Sequence, residues 1–547
     1  MDFAKLKARY EVLQTQKQNM VDTLSLIEQY VLPFRAYFNG DVSSENQVRW
    51  RRPEIYDSTA VLAAQTLAAN LHSNLTNPVS VWFALLTKDK KLNQVNEVKV
   101  WLEQVTDLIY QTLSASNFEL QINETYLDIV GFGTAILIEE VLEDAQNRLS
   151  SVEFNTIPVE ECVFETDHRE RVVGLYRRLN WTAGQIVEKF GIDNVPLKIQ
   201  EAYASPKEAN TRFPVLFSIY RRIEIDEEWA SQKQVLAPHL RPWASSYHLY
   251  TTGELLSESG YYDMPAFVAR WRKASGSSWG FSQAMVCLSD ILTLNKMVEL
   301  GLKVGEKVLD PPGWVTRRGV HSALDVAAGG WTVVDGKDNM GFLEYKGRFD
   351  IAVVTRENLV ESIKSAFFVD QLQLKESPAM TATEVQVRYQ LMQRLLGPSL
   401  GRLQNDLLDP LIERTFRVLY RYGLIPPAPQ MLVKSGVQFE IEYVGPMARS
   451  QRFDTVASIE RWMMAVSQLA AVYPEALDVP DVDEVVKELG YSSGVPAKLV
   501  KSDSVIILER VKRQKMQQMA QQLQLAQGAG TAMKEIGEGQ QALAQTG

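Results

Sequence analysis

Residues 351–423 read IAVVTRENLV ESIKSAFFVD QLQLKESPAM TATEVQVRYQ LMQRLLGPSL GRLQNDLLDP LIERTFRVLY RYG, a long helical pattern interrupted once, at Lys375-Glu376-Ser377-Pro378. Before the break, Leu359, Ile363, Ala366 and Phe367 recur at helical spacing. After it, Met380-Thr381-Ala382-Thr383-Glu384-Val385 opens a second helix with a threonine cap and an acid close behind. That helix runs on through Leu391, Leu395, Gly397-Pro398, Leu400, Leu403, Leu407, Leu411 and Ile412. A proline after a polar stretch stops the first helix, because its ring removes a donor and disfavours the helical region for the preceding residue. The pattern predicts a short loop held between two long helices, a way to present a segment from a rigid mount. Nothing in it has the makeup of a reaction centre.

Upstream, residues 280–309 predict a capped, uninterrupted helix carrying Met285, Leu288, Ile291, Leu292, Leu294, Met297, Val298 and Leu302. At 1.5 Å per residue it would extend about 45 Å, and Asp310-Pro311-Pro312-Gly313 stops it. From 313 to 350 the composition shifts to glycine, tryptophan and β-branched residues. This small β-rich module, inserted between two long helices, is expected to project at their far ends.

The N-terminal part predicts helices at 3–32 (ended by Pro33), 57–76 (capped by Asp57 or Ser58), 94–115 and 119–130. Thr134–Val141 and Arg148–Pro158 alternate like a hairpin, and short strands follow, clearest at Val215–Ile225 and Ser246–Tyr250. Residues 1–279 read as one α+β body. Strand character returns at 431–445. Residues 452–510 are mostly helical with a Pro-Asp turn at 480–483. The tail 511–547 is rich in glutamine, alanine and methionine, helical to about Leu525, with Gly528 and Gly530 beyond.

With 547 residues, 46% hydrophobic and 23% charged, the chain has room for several domains and a large core. Its 67 acids against 57 bases give a net charge of −10, whereas a module that grips nucleic acid shows a basic excess. Cys162 and Cys287 lie far apart in apolar contexts and read as buried free thiols in a reducing cytosol. The start of the chain lacks a signal pattern, and the most apolar stretch, Ile129–Ile138, is too short to span a bilayer.

Catalytic patterns are weak. Gly276-Ser277-Ser278-Trp279-Gly280 fits a nucleophile elbow around Ser278, but the one histidine beyond it, His321, lies far along a long helix. There is no phosphate-binding loop of the P-loop type, and Gly131-Phe132-Gly133 lacks the third glycine of a dinucleotide fingerprint. The five histidines, His72, His168, His239, His248 and His321, are scattered and offer no metal-ligand spacing. The chain reads as a non-enzyme without a cofactor, a Ser278 hydrolase being the catalytic alternative.

Several motifs resemble, in shared order across residues 50 to 500, the portal or head-to-tail connector proteins of short-tailed bacteriophages related to T7. They are Tyr56-Asp57-Ser58-Thr59, Leu71-His72-Ser73-Asn74-Leu75-Thr76-Asn77-Pro78 with Trp82-Phe83, and Phe132-Gly133-Thr134. Further along come Asp310-Pro311-Pro312, Ala366-Phe367-Phe368, Met380 to Val385 with Arg388, and Leu396-Gly397-Pro398 with Gly401-Arg402-Leu403. Tyr443-Val444-Gly445-Pro446-Met447-Ala448-Arg449 and Gly494-Val495-Pro496 complete the set.

The resemblance implies an α+β, mainly helical portal fold of wing, stem, clip, crown and C-terminal helical extension, assembling as a ring. The wing would be 1–279 together with 431–450. The stem helices would be 280–309 and 352–373, the clip 310–351 and the tunnel loop 374–381. The long helix and its return to the wing would be 382–450, the crown 451–510 and the extension 511–547. Lys375, Glu376, Ser377 and Pro378 would face DNA in the tunnel loop, and Lys303, Lys307, Glu361 and Lys364 would line the stem channel. For Lys303 and Lys307, four apart on one face, a salt-bridged exposed surface is the competing reading. Trp314, Arg317, Arg318 and Lys337 would be partner contacts of the clip, with Trp331 in its small core.

The implied partners are the chain itself, in twelve copies, double-stranded DNA, the terminase large subunit, tail adaptors, and the major capsid and scaffolding proteins, with no membrane. The implied place is the virion's portal vertex, after synthesis in the host cytoplasm. A virion adaptor or scaffold without a DNA channel is the structural alternative.

Overall fold

Phe132-Gly133-Thr134 is where helix gives way to sheet. Gly133 ends a buried helix with φ 75°, a left-handed conformation that glycine adopts at no steric cost. Its carbonyl accepts from Trp271 N at 2.9 Å. The Thr134 hydroxyl accepts from Gly280 N at 2.9 Å, and Ser282 Oγ donates to Gly131 O at 2.6 Å. A Cβ on Gly133 would stand 2.6 Å from the Phe281 carbonyl carbon, and one on Gly280 would stand 2.2 Å from Gly133 O. Two glycines therefore let two backbones touch.

The structure, a computed structural model, describes residues 2–35, 55–89, 91–144, 148–222, 225, 236–273, 275–309, 313–315, 340–342, 349–369, 396–435, 439–443, 446–492, 495, 499–501 and 505–519. It divides into two compact units, Met1–Trp82 with Ile109–Leu424, and Phe83–Leu108 with Ile425–Gly547. Residues 83–108, expected within the 1–279 body, thus group with the C-terminal part.

The chain begins α1 (Phe3–Tyr30), α2 (Thr59–Leu75), β1 (Phe83–Thr87), α3 (Asn96–Ala115) and α4 (Phe118–Phe132). The expected hairpin forms as β2 (Thr134–Glu143) and β3 (Leu149–Ile157), pairing Ile136 with Ile157 and Glu140 with Glu153. β4 (Cys162–Thr166), β5 (Val172–Thr182), helices α5 (Ala183–Phe190) and α6 (Leu197–Ala204), β6 (Arg212–Arg221), β7 (Trp243–Leu249) and β8 (Leu255–Tyr261) follow. β4 to β8 form a five-stranded antiparallel sheet in chain order. β9 (Ala266–Arg270) joins the hairpin as β3-β2-β9. In the middle strand Ala135 to Ile138 are all buried, so its first half is an unbroken apolar run rather than the alternation expected, because both of its faces are covered.

β10 (Arg272–Lys273) and β11 (Gly280–Phe281) pair, and here the sequence expectation needs correcting. The predicted single helix 280–309 is a strand, a short helix α7 (Gln283–Val286) and a main helix α8 (Leu288–Leu309). Ser282 caps α7, accepting from Met285 N at 3.0 Å, and Cys287 leaves helical geometry at φ −106°, ψ 16°. The 22-residue α8 is about 33 Å long rather than about 45 Å.

β12 (Gly313–Val315) and β13 (Met340–Phe342) pair antiparallel. α9 (Phe349–Ala366) ends earlier than the expected 373, at a turn where Phe368 takes φ 59°. Helical residues 396–403 lead through a π turn (Gln404–Leu408) into α10 (Asp409–Arg421). Pro410 has no N–H to offer the preceding turn, and Asp409 N instead reaches back to Gln404 O. Leu403, Leu407, Leu411 and Ile412, the predicted apolar face, are all buried.

In the second unit, α11 (Gln430–Ser435) occupies the start of a stretch expected to be strand, and β14 is confined to Phe439–Tyr443. β14 pairs with β1, Leu85 opposite Ile441. α12 (Pro446–Ala470), α13 (Val482–Ser492) and a helix at 505–519, α14, follow. Asp481 caps α13 by accepting from Asp483 N at 3.1 Å, in the expected Pro-Asp turn.

Buried charge fixes the first unit's internal register. Lys17, 1% exposed, donates to the carbonyls of Val159, Glu160 and Cys162 at 2.6, 2.9 and 3.0 Å. Burial draws its pKa down to about 8. Arg35 holds Asp128 through two bonds at 2.7 and 3.1 Å, and Glu124 through a third at 2.8 Å. Burial nevertheless pushes Asp128 up to about 6. Cys162 and Cys287 are buried and free.

On β2, Glu139 is fully buried and Arg414 Nε of α10 stands 3.4 Å from its Oε2. Arg414 also donates to Asp263 O at 2.8 Å. Burial pushes Glu139 up to about 7, with Arg414 opposing.

Three outcomes are expected. Gly133→Ala forces a Cβ into left-handed backbone against a second backbone, and should cost about 1–3 kcal/mol in denaturant unfolding of the purified chain. Arg414→Ala leaves Glu139 buried without its cation and should cost about 3–5 kcal/mol. Because Glu139 is protonated on folding between its ordinary value of 4.5 and about 7, stability falls as pH rises through that window. Glu139→Gln should flatten the fall between pH 5 and 7 in the same unfolding series.

Candidate functional site: the paired helices and their anchorage

α8 and α9 pack as an antiparallel pair. Asp290, at the start of α8, accepts from Ser362 Oγ, near the end of α9, at 2.8 Å. One turn further along α8, Asn295 accepts from Tyr56 N at 2.7 Å and Asp57 N at 3.3 Å. Asp57 in turn accepts from Thr59 N at 2.8 Å and lies 3.7 Å from Arg356 of α9. The start of α2 is thus pinned to both helices. Tyr56-Asp57-Ser58-Thr59, conspicuous in the sequence, supplies the amides and the carboxylate of this clasp.

Among the described residues burial is confined to one end of the pair. Ile291, Leu294 and Asn295 are buried on α8, as are Ile363 on α9 and Phe367 beyond it. Further out, Leu300, Leu302 and Leu309 are exposed, the last to 88%. At the outer ends sit β12 and β13, with Trp314 opposite Gly341. α8 runs to Leu309, and Asp310-Pro311-Pro312, expected to stop it, lie outside the described residues.

The sequence-predicted site residues fall in different places. Lys303 is exposed and ion-paired with Glu299 at 2.5 Å, while Lys296 meets the same carboxylate at 2.8 Å. Its side chain has the salt-bridged character that competed with a channel role. Glu361 and Lys364 are exposed on α9. Lys307 belongs to α8 and Trp314 to β12, but their side chains lie outside the described residues. So do Arg317, Arg318, Trp331, Lys337 and the whole of Lys375, Glu376, Ser377 and Pro378, together with His321.

The Leu71–Thr76 segment contributes to the core. Leu71, Leu75, Thr76 and Trp82 are buried, Thr76 Oγ1 lies 3.3 Å from Tyr126 OH, and Asn77 accepts from Val79 N at 2.9 Å to make the turn. Ser278 is 3.1 Å from Thr166 Oγ1, and Trp279 packs on Phe164 with ring centroids 4.6 Å apart. The elbow-like pattern is therefore a packed turn. Among the described residues, no group of histidine, cysteine and carboxylate side chains is placed to hold a metal ion, and no helix is long and apolar enough to cross a membrane.

The long helix behind the predicted loop is clamped to the β3-β2-β9 sheet twice. Arg414 meets Glu139, and Arg270 Nε donates to Asp406 Oδ2, on the π turn, at 3.0 Å. A cleft of about 730 Å³ opens beside these pairs. Its arginines are largely engaged, Arg171 with Asp167 and Arg417 with Asp263 and Glu413. Sequence reasoning missed Asn295, Glu139 and Arg414. The usable signal was a polar residue on a predicted apolar face, Asn295 beside Leu294 and Glu139 at the end of Thr134–Ile138.

Comparison with known proteins places the chain in a family. The profile of the family described as bacteriophage head to tail connecting protein matches residues 4–500. The chain belongs to that family. A probable portal protein of Bordetella phage BPP-1 is 29% identical over 539 residues, covering 97% of this chain and 94% of its own. The portal protein of Salmonella phage epsilon15 is 26% identical, covering 92% and 89%. That of Escherichia phage T7 is 21% identical, covering 96% and 92%. Its function is that of a portal protein, a structural component of the virion.

Asn295→Ala strands two backbone amides at the clasp, and should cost about 1–3 kcal/mol in unfolding free energy. The accompanying readout is faster protease cleavage in 310–348, since the helix pair carrying that segment loses its mount.

Proposed function

We propose that twelve copies form a ring at one capsid vertex, with α8 and α9 of each copy standing side by side around an open axis. The observation that carries this reading is the antiparallel pair itself, anchored at one end by Asn295 and Asp57 and left with Leu300, Leu302 and Leu309 uncovered toward the other. A lone chain gains nothing by exposing leucines on an extended helix, whereas neighbouring copies in a ring would bury them. Each copy would lift β12, β13 and the rest of 310–351 as a clip, and Trp314, Arg317, Arg318 and Lys337 would be its contacts.

Double-stranded DNA would enter through the ring during packaging and leave on ejection. A net charge of −10 per chain suits a passage, since many strong phosphate contacts would brake sliding. The terminase large subunit would dock on the clip and supply the hydrolysis, to be replaced by tail adaptors. Major capsid and scaffolding proteins would hold the ring in the shell. Residues 374–381 would be the tunnel loop, with Lys375, Glu376 and Ser377 making brief phosphate contacts. Lys303, Lys307, Glu361 and Lys364 would face the stem channel, Lys303 with its charge shared by Glu299. The crown would be 451–510 and the extension 511–547.

Electron microscopy of the purified chain tests the ring: closed particles with a hole wide enough for duplex DNA are expected, and solitary subunits at all concentrations would end the reading. Deleting three residues within 374–381 should leave ring formation unchanged while lowering the fraction of DNA-filled heads in a packaging assay. Loss of rings in that variant would make the segment an assembly element instead.

A further inference from the structure

Residues 446–519 carry three helices and almost no interior. Among the residues whose burial is described from 456 to 519, only Val466 and Pro480 are buried. Sixteen of the thirty-eight exposed large apolar side chains described in the chain lie between Trp462 and Met519. Helices gain most of their stability from packing an apolar face, and among the described residues nothing covers these faces.

Two of the faces are complementary. On α13, Val482 and Val486 lie one turn apart and exposed, within a stretch, 475–488, that holds Glu475, Asp478, Asp481, Asp483, Glu484 and Glu488 against Lys487. On α14, Val505, Leu508, Met516 and Met519 share one exposed face. Lys512 lies within that stripe, Lys515 and Arg513 flank it on either side, and Arg510 lies on the far side of the helix. One contact of this chemistry already exists within the chain, where Arg510 binds Asp483 through two bonds at 2.7 and 2.5 Å. Lys512, Arg513 and Lys515 are exposed, as are Glu475 and Asp478, and none forms an ion pair among the described residues.

We propose that the Val482–Val486 face of one copy receives α14 of a second copy of this chain, stripe against stripe, with Lys512, Arg513 and Lys515 meeting the neighbour's Glu475 and Asp478. Every copy then offers one acidic acceptor and one basic donor face. Such a head-to-tail contact generates a ring if the rotation closes, and charge complementarity sets the order of faces and suppresses like-with-like pairing. An outside partner would have to cover two faces of opposite charge, while a second copy covers both. The inference rests on the ring reading above and assigns part of that ring's lateral contact to 475–519.

Cross-linking separates the two ideas. Val486→Cys and Leu508→Cys are made as separate single variants of the full chain; the native Cys162 and Cys287 are buried and do not compete. Mixed and gently oxidised, the two should give disulfide-linked copies, and each alone should give none. Glu475→Lys/Asp478→Lys and Arg513→Glu/Lys515→Glu should each weaken assembly about tenfold, and the two variants mixed should recover part of the loss. Rings that form normally with neither cross-link nor charge-reversal effect would overturn this interface and leave the ring standing. An internal disulfide in the Val486→Cys/Leu508→Cys double variant, with no link between copies, would overturn it too. Failure of the unmodified chain to form rings would instead remove the ring reading.

Discussion

Two glycine backbones in van der Waals contact, Gly133 and Gly280, set the path of the first unit. The end of α4 can meet β11 at that distance only where neither residue carries a side chain. The bonds from Gly280 N to Thr134 and from Ser282 to Gly131 then lock the junction. From it the chain enters α7 and α8, so the direction of the projecting helix pair is inherited from a contact made at its root. The clasp of Asn295 on Tyr56 and Asp57 adds a second fixed point, and Ser362 on Asp290 sets how far α9 lies along α8.

Polar groups do the registering where apolar packing alone would tolerate sliding. A buried leucine face accepts a shift of one turn at modest cost, but a buried ammonium, carboxylate or amide has a few compatible positions. Displacement leaves it unsatisfied, which costs more than the bond is worth when made. Lys17 on three carbonyls, Arg35 on Asp128 and Arg414 on Glu139 are such points, each joining elements far apart in sequence. The raised pKa values of Asp128 and Glu139 and the lowered value of Lys17 record how strongly burial acts on them.

Helices with strong periodicity were legible, and so was the β2–β3 hairpin, because alternation and apolar spacing are local properties of the chain. The order of the family motifs was legible too, and the family profile agrees with it. What escaped was local geometry set by distant contacts. Residues 280–309 look like one helix, yet Gly280 and Phe281 are drawn into a strand by Arg272 and Lys273, and Cys287 breaks the run. For Lys303 the spacing left a salt-bridged exposed face beside a channel role, and Glu299 is the carboxylate it pairs with. The candidate site was therefore readable as a pair of helices and a motif at 56–59, but the bonds joining them were not.

The amino-acid sequence by itself determined where the strongly periodic helices lie, that the cysteines do not pair, and which family the chain belongs to, since each depends on residue type and spacing along the chain. Tertiary structure alone decided that β1 joins β14 across some 350 residues, that Glu139 lies under Arg414, and that almost none of the residues with described burial from 456 to 519 are buried. Those outcomes depend on which surfaces meet in space, and a linear pattern carries the propensity of each surface without naming its partner.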